Sequence, residues 1–169
     1  MATRKIDKRT IATRAALLSA FRELVLTKGY EAVAIGDVAQ RAGVGRTTLY
    51  LHFANKQSLL KASLEALCAT LAECASPERL TPWLEHFQQQ RQINGAFFAD
   101  PIKKIWVRHL AGKVEARLRK TILPRSLTAL TIAEMQIGLI TNWLSGAGGV
   151  TPARVAEALV TQTRALINS

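Results

Sequence analysis

Residues 36–53 read GDVAQRAGVGRTTLYLHF, and the rest of the chain is best understood from them. Val38, Ala39 and Ala42 recur at helical intervals, Gly43-Val44-Gly45 interrupts them, and Leu49 and Phe53 resume the apolar rhythm. Apolar residues three and four apart mark one face of a helix. The stretch therefore predicts a short helix, a three-residue break and a second short helix, which is a helix-turn-helix. Ala39 and Ala42 are small enough for two helices to cross closely. Gly43 can take the positive φ that ends the first helix sharply. On the second helix Leu49 and Phe53 would face inward, leaving Arg46, Thr47, Thr48, Tyr50 and His52 outward. A donor-rich, partly aromatic face on a short helix after such a turn suits the major groove of DNA. Spacing alone leaves an ordinary solvated helical hairpin open as the alternative.

Composition narrows the classes. The chain has 169 residues, about half of them apolar, so it can bury a core as one compact unit or as a small head on a larger helical body. Five prolines and ten glycines argue against extended disorder. The formal charge is +11, from 23 basic and 12 acidic residues. Residues 1–60 hold ten basic and four acidic residues, a net of +6, so the excess concentrates at the predicted head. Such an excess attracts a polyanion and speeds encounter with it, although charge alone would equally suit an anionic membrane surface. No stretch approaches the roughly 20 apolar residues that span a bilayer, and no signal-peptide core follows the basic N-terminus. A cytoplasmic protein is expected. Cys68 and Cys74 lie six apart on one predicted helix, on different faces, so they read as reduced structural thiols rather than a mutual disulfide.

Working outward, residues 1–9 read as a mobile basic arm, followed by a helix from Thr10 to Lys28 with Ile11, Ala15, Leu18, Phe21 and Val25 as its buried stripe. Lys28-Gly29 closes it. Asn55 is the expected cap of a long helix whose apolar face is Leu59, Leu60, Leu64, Leu67 and Leu71 and which runs to about Ala75. Residues 76–82, SPERLTP, read as a connector. Trp83, Leu84, Phe87 and Ile93 mark a further helix ending at Asn94-Gly95, and Pro101 to Leu123 reads as another, heavily basic on its exposed side. Pro124 stops it. Two helices follow, 126–145 and 152–168, separated by a linker that supplies glycine, a Thr151 cap and Pro152 at the first helical position. Nothing alternates with a period of two for long, so the chain is all-α.

Residues 27–61, TKGYEAVAIGDVAQRAGVGRTTLYLHFANKQSLLK, resemble the DNA-binding domain of the TetR/AcrR family of bacterial transcriptional regulators. The features that carry the resemblance are Gly29-Tyr30, Ile35, Asp37-Val38-Ala39, Ala42-Gly43-Val44, Thr48-Leu49-Tyr50, His52-Phe53, and Lys56 with Leu59-Leu60. It is close over roughly the first 60 residues and architectural beyond them. The resemblance implies a three-helix helix-turn-helix DNA-binding domain over 1–55 and a helical ligand-binding and dimerisation domain over 56–169. Two departures stand out. Ala34 and Gly45 occupy positions where the family commonly has a hydroxyl that caps the next helix.

Within that frame Arg46 and Thr47 are the candidate base readers. Thr48, Tyr50, His52 and Lys56 are candidate phosphate anchors that fix register, and Leu51 could make only an apolar contact. The implied partner is a palindromic double-stranded operator bound by a homodimer, whose interface the resemblance places on helices 126–145 and 152–168. Leu127, Leu130, Ile137, Ile140, Thr141 and Leu144 form one apolar stripe there, and Val155, Leu159, Val160, Leu166 and Ile167 another. A small-molecule effector is implied in the helical domain, with Trp83, Phe87, Phe97, Phe98, Trp106, His109, Met135 and Trp143 as candidate lining residues. The expected function is a repressor released from DNA by that effector. The alternative is a helical ligand-binding protein whose degenerate head binds DNA without specificity.

An enzyme is disfavoured. His52, His86 and His109 are scattered, and no residues show metal-ligand spacing, a phosphate-cradling glycine loop or a nucleophile elbow. No metal and no cofactor are expected.

Overall fold

The computed structural model describes residues 8–74, 76–90, 100–119, 121–146 and 149–168. These form eight helices, with no strand among the described residues: α1 Lys8–Lys28, α2 Ile35–Arg41, α3 Arg46–His52, α4 Lys56–Glu73, α5 Pro77–Gln89, α6 Ile102–Glu115, α7 Arg125–Leu144 and α8 Pro152–Asn168. The chain divides into two compact units, 1–63 and 64–169, and the division falls inside α4. No described helix is long and apolar enough to cross a membrane.

In the first unit, α1 buries Leu17, Ala20, Phe21, Leu24 and Val25. That stripe is rotated from the expected one. Ile11 and Ala15 are exposed and Leu18 is half-buried, so the first turns of α1 contribute no core to this unit. Lys8 and Arg9, expected in a mobile arm, open the helix; the rest of that arm lies outside the described residues. Gly29, at φ 79°, ends α1 and returns its N–H to the Val25 carbonyl at 2.9 Å. Tyr30 turns its ring edge-on to Phe21, with centroids 6.3 Å apart. Val33, Val38, Ala39, Leu49, Phe53, Leu59 and Leu60 complete the core. Across the surface, Glu23 on α1 takes a two-pronged bond from Arg41 on α2, and Lys28 meets Asp37 at 3.2 Å. These exposed pairs orient α2 more than they stabilise it.

In the second unit, α6 packs on α7, α5 on α8, and α7 on α8. Leu64, Leu67, Leu71, Leu80, Leu84, Trp106, Leu110, Ile132, Ile137, Ile140 and Leu159 are among the buried residues. Gln136 is wholly buried in this apolar setting and donates to the Leu71 carbonyl and to Thr163 Oγ1, at 3.1 and 2.9 Å. Four boundaries correct the expectations. Residues 77–82 are helical rather than a connector, because Pro77 sits in the first turn of α5, where a missing N–H breaks nothing, and Pro82 follows inside the same helix. The helix expected to reach Leu123 stops at Glu115. Arg117 N–H bonds the Val114 carbonyl in a tightened last turn, and Arg125 reaches back to the Glu115 carbonyl at 2.8 Å. Cys74 lies one residue beyond α4 rather than on it, with φ 39°. The helix expected to run to Asn94-Gly95 ends at Gln89, where Gln90 takes a non-helical backbone (φ −110°, ψ 30°); residues 91–99 lie outside the described residues.

Candidate nucleic-acid interface

The turn between α2 and α3 is built by its glycines and backbone. Gly43 has φ 67°; its N–H bonds Gln40 O at 3.1 Å, while Val44 N–H bonds Ala39 O at 3.0 Å. Those are the two bonds of a Schellman end, which stops α2 within one residue. The N-cap positions, Ala34 of α2 and Gly45 of α3, have extended backbones and no side-chain cap bond. By contrast α4 opens on a reciprocal cap: Ser58 N–H donates to Asn55 Oδ1 at 2.8 Å and Asn55 N–H to Ser58 Oγ at 3.2 Å.

This frame presents one face of α3 outward. Leu49 and Phe53 are buried, and the guanidinium of Arg14 lies 4.5 Å over the Phe53 ring, fastening α1 to the end of α3. Arg46 and Thr47 are exposed, Tyr50 is 53% and Leu51 81% exposed, and Thr48 and His52 are half-buried. An exposed leucine and tyrosine on a seven-residue helix leave apolar surface uncovered on an otherwise polar face. Arg46 opens α3, and its guanidinium rests against Gly36 in the first turn of α2.

Lys56, read from the sequence as a phosphate anchor, has structural work as well. Its ammonium donates to the Tyr30 and Glu31 carbonyls at 2.9 and 3.2 Å and sits 4.5 Å over the Tyr30 ring. An ammonium carries three donors, and these two bonds use two of them. Sequence reasoning missed this tie and the Arg14–Phe53 contact, since both join residues far apart in the chain.

The described candidate effector residues have different surroundings. Trp106 is core, its Nε1–H donated to Cys68 Sγ at 3.1 Å. His109 is paired with Glu65 at 3.0 Å, and Lys113 bonds the same carboxylate and is the main cause of its lowered pKa. Trp143 donates to the Val150 carbonyl at 2.8 Å, tying Val150 to α7. Trp83, Phe87 and Met135 are half-buried, and Phe97 and Phe98 lie outside the described residues. A depression of about 800 Å³ in the second unit is lined by Asp100, Lys103, Lys104, Val107, Arg108, Leu130 and Glu134. Trp143 borders a smaller one of about 300 Å³. Among the described residues no group of three His, Cys, Asp or Glu side chains is placed to hold a metal ion.

Residues 17–63 match the family described as bacterial regulatory proteins, tetR family. YxbF of Bacillus subtilis (strain 168), an uncharacterised HTH-type transcriptional regulator, is 34% identical over 71 residues, covering 41% of this chain and 19% of that protein. The chain spans less than a third of the length of the curated relatives it matches. A solved TetR transcriptional regulator from Streptococcus agalactiae 2603V is similar over 93% of this chain and 96% of that one, with a TM-score of 0.59 and 26% identity. A TetR-family regulator from Streptomyces coelicolor A3 shares the fold over the whole of both chains, with a TM-score of 0.65 and 17% identity.

Proposed function

We propose that the chain, whose residues 17–63 match the TetR family of bacterial regulatory proteins, is a DNA-binding transcriptional regulator of that family. In this reading it acts as a repressor: two copies hold a palindromic operator, and a small molecule bound in the helical unit releases it. The observation that carries the reading is the outward face of α3, where Arg46, Thr47, Tyr50 and Leu51 stand exposed over a buried Leu49. Arg46 and Thr47, at the start of the helix, are the base readers in this reading, and arginine can bond guanine through two donors at once. Thr48, Tyr50, His52 and Lys56 serve as phosphate anchors. One such helix covers only a few base pairs, so specificity needs a second copy. The effector reading is supported by the depression of about 800 Å³, which is within the size range of small-molecule sites. An effector can shift DNA affinity only by binding the two conformations unequally.

Binding to a duplex from the intergenic region upstream of the coding sequence, against a random duplex at several salt concentrations, tests the proposal. The specific fragment should bind tighter, and Arg46→Ala should lower that ratio by about tenfold or more while bulk affinity falls less. Equal binding of both fragments, with a steep salt slope, would instead support the degenerate head that uncapped Ala34 and Gly45 keep open.

A further inference from the structure

The Schellman turn brings Gly36, in the first turn of α2, against Arg46, the first residue of α3. A Cβ built on Gly36 would stand 3.0 Å from Arg46 Nη2 and 3.4 Å from both its Cζ and its Nε. Those three atoms share the guanidinium plane, so the group meets the glycine along its length rather than with one tip. Gly36 is not among the positive-φ glycines, so its backbone does not call for glycine. Glycine inside a helix is otherwise a poor choice relative to alanine. Arg46 meanwhile makes no hydrogen bond or ion pair with a described residue, and none of its five donors is spent on one. A guanidinium located by packing but free to donate is already ordered for a two-donor contact, and loses less freedom on making it.

We propose that Gly36 is the positioning residue for Arg46: the bare backbone at the start of α2 seats the guanidinium and so sets sequence preference without itself touching a base. This rests on the operator-reading function proposed above. Gly36→Ala is the test, because the new methyl meets only the far end of a flexible side chain and alanine is the better helix former, so the fold is kept. One readout needs no DNA. In the free full-length protein, the Arg46 Nε–Hε resonance, assigned by its loss in Arg46→Lys, should show a heteronuclear NOE near backbone values, and Gly36→Ala should make it mobile.

The other readout is a double-mutant cycle on the ratio of operator to random-duplex affinity. Gly36→Ala should lower that ratio about tenfold with Arg46 present, equivalent to about 1.4 kcal/mol. In an Arg46→Ala background it should change it by less than about twofold, the scatter of such cycles. Equal losses in both backgrounds, or no loss in either, overturn the proposal, and so does an Nε–Hε group that is equally mobile in both proteins. A wild type that binds both duplexes alike overturns operator reading itself; the Nε–Hε signal then decides alone whether the seat exists.

Discussion

Cys68 shows how one side chain changes character with its surroundings. It is fully buried, and burial pushes its thiol up to about 12, against a smaller opposing effect of the Trp106 hydrogen bond. Burial likewise raises Cys74. A buried, protonated thiol is a poor nucleophile, so both read as structural. The sign of the linkage follows. Above the ordinary value of 9.0 the unfolded chain releases its Cys68 proton while the folded chain keeps it. The unfolded state gains, and stability present below pH 9 is lost as pH rises towards 12. Urea midpoints taken at steps between about pH 8 and 11 should therefore fall more steeply for the wild type than for Cys68→Ala; parallel curves would mean that the thiol is not sealed. Single residues were also where the sequence was hardest to read. Trp106 and His109 have the chemistry of a pocket wall; Trp106 is buried and His109 pairs with Glu65. Residue type at helical spacing cannot separate lining from filling. Gln136, buried between Leu71 and Thr163, looks like any surface glutamine in the chain.

Elements begin where orphan donors are satisfied, and here α2 and α3 begin with none of that help from side chains. Ala34 holds the extended backbone of an N-cap, φ −88° and ψ 144°, without an oxygen to accept. Ala34→Thr should supply it and raise stability by about 1 kcal/mol, seen as a higher urea midpoint with an unchanged slope. At Gly45 a Cβ would meet nothing within 4 Å, so serine fits there too, with a gain of only about a few tenths of a kcal/mol because glycine is already a tolerable cap. No gain from Ala34→Thr would show that the first turn of α2 is already satisfied by other means. Local chemistry of this kind made the head legible. Gly29 and Gly43 mark real helix ends, Asn55 caps α4, and Leu49 and Phe53 are buried as their spacing required. The second unit was read less well. SPERLTP looks like a break because it holds two prolines, but Pro77 sits in the first turn, where a missing N–H breaks nothing, and the helix runs on through the interior Pro82. At the end of α6, Arg125, ten residues further on, bonds the Glu115 carbonyl.

At the scale of the whole molecule the proposed function requires pairing, and the surface open to a second copy is narrower than the apolar pattern suggests. Ile137, Ile140 and Leu144 of α7 and Val155, Leu159 and Val160 of α8 are buried within the chain. Leu127 (47%), Leu130 (37%) and Ile167 (37%) remain exposed. On α7, Leu127, Leu130, Glu134 and Gly138 follow helical spacing along one face, and nothing lies within 4 Å of a Cβ at Gly138, so another backbone could approach there. Leu130→Glu puts a carboxylate into that face four residues before Glu134, a like-charge pair that an apolar contact cannot hydrate. The position is exposed in the single chain, so the fold should tolerate the change. Sedimentation should then show a dimer for the wild type and a monomer for Leu130→Glu at the same micromolar concentration. Operator affinity should fall, while affinity for an isolated half-site stays the same. The slope of log affinity against log salt should drop by about half, because one head neutralises half as many phosphates. A variant that remains dimeric with an unchanged slope would move the interface off α7, and a wild type that sediments as a monomer would remove pairing altogether.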